Sequence, residues 1–268
     1  MVIEWKQKIA RRKDMFQIER QKQILDLVNS AHKANTAELS RKLQVSPVTI
    51  RRDIESLAKQ GLVVKTHGGV VSITQSPLHE IPYSIKADQN LQAKRAIGMR
   101  AASIIEDGDI IILDSGSTTL EIAKNITQQH ITVVTDDIKI AMELAGKANI
   151  TTIMCGGTLI DSVYTLSGPA AISFFKTLHV NKTFLGCDAV DVDFGISDRS
   201  YEEVNVKREM IRAADQTIAV IDHTKFNKKV FCYLCTPSVI DILVTDQIDD
   251  KYLKYFKDND ARIMLAAN

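Results

Sequence analysis

Residues 114–119, Asp114-Ser115-Gly116-Ser117-Thr118-Thr119, combine small side chains, hydroxyls and a carboxylate between an apolar run and a helical pattern. Small residues let backbone amides converge, hydroxyls add donors, and a helix N-terminus supplies partial positive charge, which together meet the needs of a phosphate. The stretch is not a nucleotide P-loop, because the G-x-x-x-x-G-K-[ST] pattern with its lysine is absent. An ordinary strand-to-helix turn capped by Ser or Thr is the other reading. Thr135-Asp136-Asp137, Gly156-Gly157-Thr158 and Leu185-Gly186-Cys187-Asp188 each close an apolar run and could line the same crevice. Glu203 and Lys207 stand at i, i+4, the spacing of a surface pair worth about 0.2–0.5 kcal/mol. Asp222-His223-Thr224-Lys225-Phe226 closes a further apolar run with a lysine able to reach an anion.

A second chemistry-bearing stretch spans residues 45–57. Ser46 is a good N-cap, and Pro47 falls at the first helical position, where its missing N–H costs nothing. Ile50, Ile54 and Leu57 recur at i, i+4 and i+7 as one apolar stripe, while Val48, Thr49, Arg51 and Arg52 are left for other faces. A guanidinium takes guanine edges or phosphate oxygens bidentately, so paired arginines early in a helix suit DNA recognition. On these residues alone a solvated surface helix is an equal alternative.

Charge separates the two readings. The chain has 268 residues and a net charge of +1. Residues 1–71 nevertheless hold 14 Lys+Arg against 7 Asp+Glu, and the remainder holds 20 against 26. A basic first quarter on an acidic body is the electrostatic footprint of a nucleic-acid-binding head joined to a domain with another task.

The length suits one small and one medium domain, and 45% hydrophobic with 25% charged residues is an ordinary globular balance. No apolar run approaches the roughly 18 residues of a membrane span, and no secretory signal is evident, so the cytoplasm is expected. Of Cys155, Cys187, Cys232 and Cys235, only the last two form a C-x-x-C. That pair lies in an apolar run without two further ligands at zinc-site spacing, which favours buried thiols over a metal or redox role.

Several elements must position these residues. Residues 1–16 form a basic extension with Lys6, Lys8, Arg11, Arg12 and Lys13, and Met15 is a candidate natural start. Residues 17–30 give a helical apolar face, Thr36 is expected to cap a short helix over 37–43, and the helix behind Ser46 completes a helix-turn-helix. Gly61 stops that helix, and residues 62–71 read as two short strands joined by a turn, a wing carrying Lys65 and His67. Residues 72–90, with Pro77 and Pro82, lack periodicity and read as a linker. From residue 91 to 268 helices and strands alternate, with strands expected near 110–113, 131–135, 150–155, 182–186, 217–222, 230–234, 240–245 and 262–265. Such alternation predicts an α/β domain with a mostly parallel sheet and ligands outside the carboxyl ends of its strands.

The set Ser46-x-x-Thr49-Ile50-Arg51-Arg52-Asp53-Ile54-x-x-Leu57, then Gly61-Leu62-Val63 and His67-Gly68-Gly69-Val70, closely resembles the winged-helix head of the DeoR-type family of bacterial transcriptional regulators. The resemblance extends over nearly the whole chain from residue 17. It implies a sensing domain similar in fold to ribose-5-phosphate isomerase, responsive to phosphorylated sugars. The family's Asp-x-Gly-[ST]-Thr loop matches Asp114, Gly116, Ser117 and Thr118; its double glycine matches Gly156 and Gly157. Its Leu-Gly segment matches Leu185 and Gly186, its Glu-x-x-x-Lys helix Glu203 and Lys207, and its Asp-x-[ST]-Lys-Phe motif Asp222, Thr224, Lys225 and Phe226. Asp136-Asp137 departs from the usual Thr-Asn-Ser ending, and two carboxylates there would repel a second anionic group. Cys187-Asp188 replaces a segment that is often Gly- or Ala-rich.

These features together predict a transcriptional repressor of a carbohydrate operon, acting as a homodimer or homotetramer. It would bind double-stranded operator DNA through Ser46, Pro47, Val48, Thr49, Arg51, Arg52, Lys65 and His67. A phosphorylated sugar would be sensed by residues 114–119, Thr135, Asp136, Gly156, Gly157, Asp188, Glu203, Lys207 and Lys225, with no cofactor, metal or membrane involved. The alternative is a sugar-phosphate isomerase or deaminase with an accessory DNA-binding head, since phosphate loop, carboxylates and lysine are also the ingredients of enolisation.

Overall fold

A computed structural model describes residues 17–73 and 81–266, and the basic extension over 1–16 lies outside the described residues. The chain divides into two compact units, Met1–Ile81 and Pro82–Asn268.

The first unit runs α1 (Gln17–Ala31), β1 (Lys33–Asn35), α2 (Thr36–Leu43), α3 (Pro47–Lys59), β2 (Val63–Thr66) and β3 (Gly69–Ser72). Ile50, Ile54 and Leu57 of α3 meet Ile24 and Val28 of α1, Leu39 of α2, and Val63 and Val70 of the wing in one core. Each such side chain contributes about 1.5–3 kcal/mol on burial. Asn35, not Thr36, caps α2, its side chain accepting from Glu38 N at 2.7 Å. Asn35 holds the extended backbone of a cap, whereas Thr36 is already helical and buried.

β1 is an element without a sequence signal. It pairs antiparallel with β3 in a sheet ordered β1-β3-β2. Three residues are too few for periodicity, and the pairing partner lies far along the chain. The pairing explains Gly69, which stands opposite Asn35, because a Cβ there would lie 2.5 Å from the Ala34 carbonyl oxygen.

The second unit opens with α4 (Tyr83–Asp88) inside the stretch expected to be linker. Its six residues are too short to read from a pattern, and tertiary contacts hold it: Tyr83 N donates to Ser162 O at 2.8 Å, and the Tyr83 ring meets Tyr164 edge-on at 6.1 Å. α5 (Leu91–Ala102), β4 (Ile110–Leu113), α6 (Ser117–Asn125), β5 (Ile131–Thr135), α7 (Ile138–Leu144) and β6 (Ile150–Met154) follow. A hairpin of β7 (Thr158–Ile160) and β8 (Thr165–Ser167) leads to α8 (Pro169–Phe175) and β9 (Val180–Leu185). Then come β10 (Ala189–Asp191), β11 (Gly195–Asp198), α9 (Tyr201–Ala213), β12 (Ala214–Val220), β13 (Cys232–Cys235), β14 (Ile242–Thr245), α10 (Asp250–Lys257) and β15 (Arg262–Leu265).

Seven strands form an all-parallel sheet ordered β15-β14-β12-β9-β4-β5-β6. Ile111 and Leu113 point to the layer of α5, α6 and α7, and Ile112 to that of α8 and α9. Burial on both faces is why β4, β5 and β14 read as continuous apolar runs. α5 and α6 approach so closely at Gly98 that a Cβ there would lie 2.6 Å from Glu121 Cβ. The run expected near 230–234 is not in this sheet; β13 pairs with β11 in a small antiparallel sheet ordered β10-β11-β13. No helix among the described residues is long and apolar enough to cross a membrane.

Candidate functional site

In the first unit the residues flagged for DNA lie outward. Ser46 caps α3, its hydroxyl accepting from Thr49 N at 3.1 Å, so the helix starts where Pro47 sets it. Ser46, Pro47, Val48, Arg51 and Arg52 are exposed, and Thr49 is half-buried beside them. Lys65 and His67 are exposed on the wing, where Lys65 Nζ meets Glu55 Oε1 at 2.7 Å. Behind this face Asp53 is buried and takes both Nε and Nη2 of Arg20, at 2.5 and 3.1 Å. This clamp of α3 onto α1 has no sequence signal, since Arg20 and Asp53 belong to different helices.

In the second unit the strand order reverses between β4 and β9. A reversal point leaves a crevice at the carboxyl ends of its two strands. There a cleft, partly open to solvent, is lined by Ser115, Gly116, Ser117, Thr118, Thr119, Asp188, Glu203, Lys207 and Lys225. Gly116 adopts φ 153° and ψ 163°, a conformation that favours glycine, and no side chain caps α6 behind it. The amides of the α6 first turn therefore face the cleft as helix N-terminal donors.

Other expected residues serve the cleft from outside it. Asp114 is its floor: fully buried, its Oδ2 accepts from Gly186 N at 2.9 Å and from Lys207 Nζ at 3.0 Å. Thr135 is buried too, donating to Leu113 O at 2.7 Å and accepting from Asp137 N at 3.0 Å. Gly156 and Gly157 do not line the cleft, contrary to expectation. Gly157, at φ 144°, lets β7 approach β8, because a Cβ there would lie 2.5 Å from Ser167 O.

The expected surface pair is also corrected. Glu203 and Lys207 are both buried, because they share the face of α9 that packs Val206 and Met210 against the sheet. Lys207 Nζ lies 3.0 Å from Asp114 Oδ2, 3.0 Å from Asp198 Oδ2 and 3.0 Å from Gly186 O. Burial opposes its charge, but Asp114, Asp198 and Glu203 outweigh it and hold the ammonium well above its ordinary pKa.

Burial, with the charges of Asp114, Asp137 and Glu203 around it, pushes Asp136 well above the usual carboxylate range. Burial raises Asp137 to about 6, against backbone hydrogen bonds from Ile140, Gly116 and Lys139. Asp137 caps α7 and accepts from Gly116 N at 3.1 Å, which pins the loop.

The cation cluster around Asp188 has no signal in the sequence. Lys86 Nζ stands 3.3 Å from Asp188 Oδ1, Arg199 Nη1 3.3 Å from Oδ2, and Lys225 Nζ 3.9 Å from Oδ1. Although burial opposes it, these cations hold Asp188 ionised far below its usual range. Lys94 of α5 also lines the cleft, donates to the Lys86 carbonyl, and is lowered to about 8 by burial. Asn90 Nδ2 bridges to Asp222 Oδ1 at 3.2 Å and Thr224 Oγ1 at 3.1 Å. Lys86, Asn90 and Lys94 lie in or just behind the stretch expected to be linker, where only the fold reveals them.

Burial raises the thiols of Cys155 and Cys235 to about 12 and that of Cys187 well above its usual value. No group of His, Cys, Asp and Glu among the described residues is placed to hold a metal ion.

Comparison with known families and proteins agrees with this division. Residues 20–76 match the family described as DeoR-like helix-turn-helix domain, and residues 89–247 the DeoR C terminal sensor domain. The HTH-type transcriptional regulator YulB of Bacillus subtilis is 36% identical, over 93% of this chain and 96% of its own. The HTH-type transcriptional repressor GlcR of Bacillus subtilis is 33% identical over 88% and 91%, and the L-fucose operon activator of Haemophilus influenzae 30% identical over 90% and 97%.

Proposed function

The chain belongs to the DeoR family of helix-turn-helix transcriptional regulators, and from that premise we propose that it represses a carbohydrate catabolic or transport operon and leaves its operator when a phosphorylated sugar binds. The observation that carries this reading is the cleft at the β4/β9 reversal, where the uncapped N-terminus of α6 and the cations Lys86 and Lys225 converge. Helix amides and ammonium groups are the donors a phosphate needs, and the hydroxyls of Ser115, Ser117 and Thr118 suit a sugar's oxygens. Two relatives, a transcriptional repressor and an L-fucose operon activator, support gene regulation tied to sugar use.

In this reading the protein binds rather than transforms its ligand. Lys207, the obvious candidate base, is held charged between Asp114 and Asp198 and serves to position the floor. In the head, Val48, Thr49, Arg51 and Arg52 face base edges, Ser46 and Pro47 set the helix start, and Lys65 and His67 reach backbone phosphate. One winged helix reads few base pairs, so the protein acts in the cytoplasm as a homo-oligomer on repeated half-sites.

Selecting bound duplexes from a random library with the full-length chain yields the operator. Gel shifts of that duplex against triose, pentose and hexose phosphates and their unphosphorylated sugars then test the effector. Release by one phosphorylated sugar, and not by its parent, is expected. No sequence preference removes the operator half of the proposal; no release by any phosphate removes the effector half.

A further inference from the structure

Lys86 belongs both to the cleft and to α4, the first described helix after residues 74–80, through which the chain passes from the first unit to the second. Its backbone is tied to the phosphate loop: the Lys86 carbonyl accepts from Ser117 Oγ at 3.5 Å and from Lys94 Nζ. Its ammonium is 3.3 Å from Asp188, which also holds Arg199 at 3.3 Å and Lys225 at 3.9 Å. Asp188 therefore keeps Arg199 and Lys225 beside it when Lys86 moves away. The helix itself is lightly held, with no fully buried residue of its own. It docks through the Tyr83 amide on Ser162, the Tyr83 ring against Tyr164, and Lys139 Nζ above both rings at 4.7 and 3.9 Å.

We propose that Lys86 is the residue through which a bound phosphate acts on α4: its ammonium leaves Asp188 for the ligand's phosphate at the α6 N-terminus, and the setting of α4 follows occupancy of the cleft. A dianionic phosphate outcompetes a monoanionic carboxylate that keeps two other cations. Because Lys86 is on α4 and Lys225 is not, the two lysines have different tasks. Lys225 contributes to holding the ligand, whereas Lys86 converts holding into a response, the differential interaction that linkage requires. This inference rests on reading the cleft as a sugar-phosphate site.

The test uses the full-length chain and the sugar phosphate that best raises its melting temperature in a panel. If no sugar phosphate shifts the wild-type protein, the cleft reading itself falls and this inference with it. With a ligand in hand, operator affinity is measured at saturation for wild type, Lys86→Gln and Lys225→Gln. Saturating ligand is expected to weaken operator binding about tenfold or more in wild type and in Lys225→Gln, but less than about threefold in Lys86→Gln. Full release by ligand-saturated Lys86→Gln overturns the proposal. Hydrogen exchange on the wild type gives a second readout that needs no variant. Saturating ligand is expected to change protection of the amides of residues 83–88 relative to those of α10, and unchanged protection of α4 overturns the proposal as well.

Discussion

Lys207 and Asp114 meet at 3.0 Å with both side chains out of solvent, one from the middle of α9 and the other from the end of β4. Asp198 shares the same ammonium at 3.0 Å. Removing a buried charge costs more than the pair is worth, because its partners stay behind uncompensated. Lys207→Met is expected to lose about 3–5 kcal/mol of stability in urea denaturation of the sensing domain. A loss below about 1 kcal/mol, the range of exposed pairs, would show that water reaches the site.

The raised pKa of Asp136 has a pH signature. Its pKa is raised in the folded protein, so between about 3.9 and that raised value the native state binds more protons than the unfolded chain. Stability from this group is therefore present at low pH and is lost as pH rises through the window. Asp136→Asn keeps the shape without the proton and removes that loss. Denaturation at roughly pH 5, 7 and 9 is expected to show the variant gaining on wild type as pH increases. A difference constant across pH would mean that Asp136 is ionised throughout.

Arg20 holds α3 from behind its exposed face. Its bidentate hold on the buried Asp53 joins α1 to α3, and Arg20→Ala strands that carboxylate in the core. About 3 kcal/mol of head stability is expected to go, measured as an earlier melting transition accompanied by weaker operator binding. An unchanged transition with normal operator affinity would reduce the pair to a surface contact.

Arg51 and Arg52 are expected to matter sequence by sequence. Alanine at whichever one reads a base costs about 1–3 kcal/mol and relaxes preference at that base. Lys65→Ala is expected to weaken binding to all duplexes alike and to lower the salt slope by about 1, since Lys65 gives up only an exposed pair with Glu55 to reach phosphate. Affinities measured across a salt series on matched and mismatched duplexes separate the two behaviours.

What the sequence determined by itself is what a few neighbouring residues can enforce. Ser46 and Pro47 start α3 where a cap and a fixed φ dictate, and the apolar spacing behind them decides which face packs and which carries Arg51 and Arg52. The continuous apolar runs foretold buried parallel strands, and Gly116 with its hydroxyl neighbours foretold an open helix start at a strand end. Tertiary structure decided whatever depends on residues distant in the chain. β1 and α4 exist because partners far along the chain hold them, and Gly157 turned out to serve a hairpin, not the cleft. Glu203 and Lys207 have the spacing of a surface pair, and only the docking of α9 on the sheet buries them. Charge states lie furthest from the sequence. A carboxylate's proton depends on desolvation and on charges within a few ångströms, so the Asp136 pKa rises and that of Asp188 falls only once the fold has gathered their surroundings.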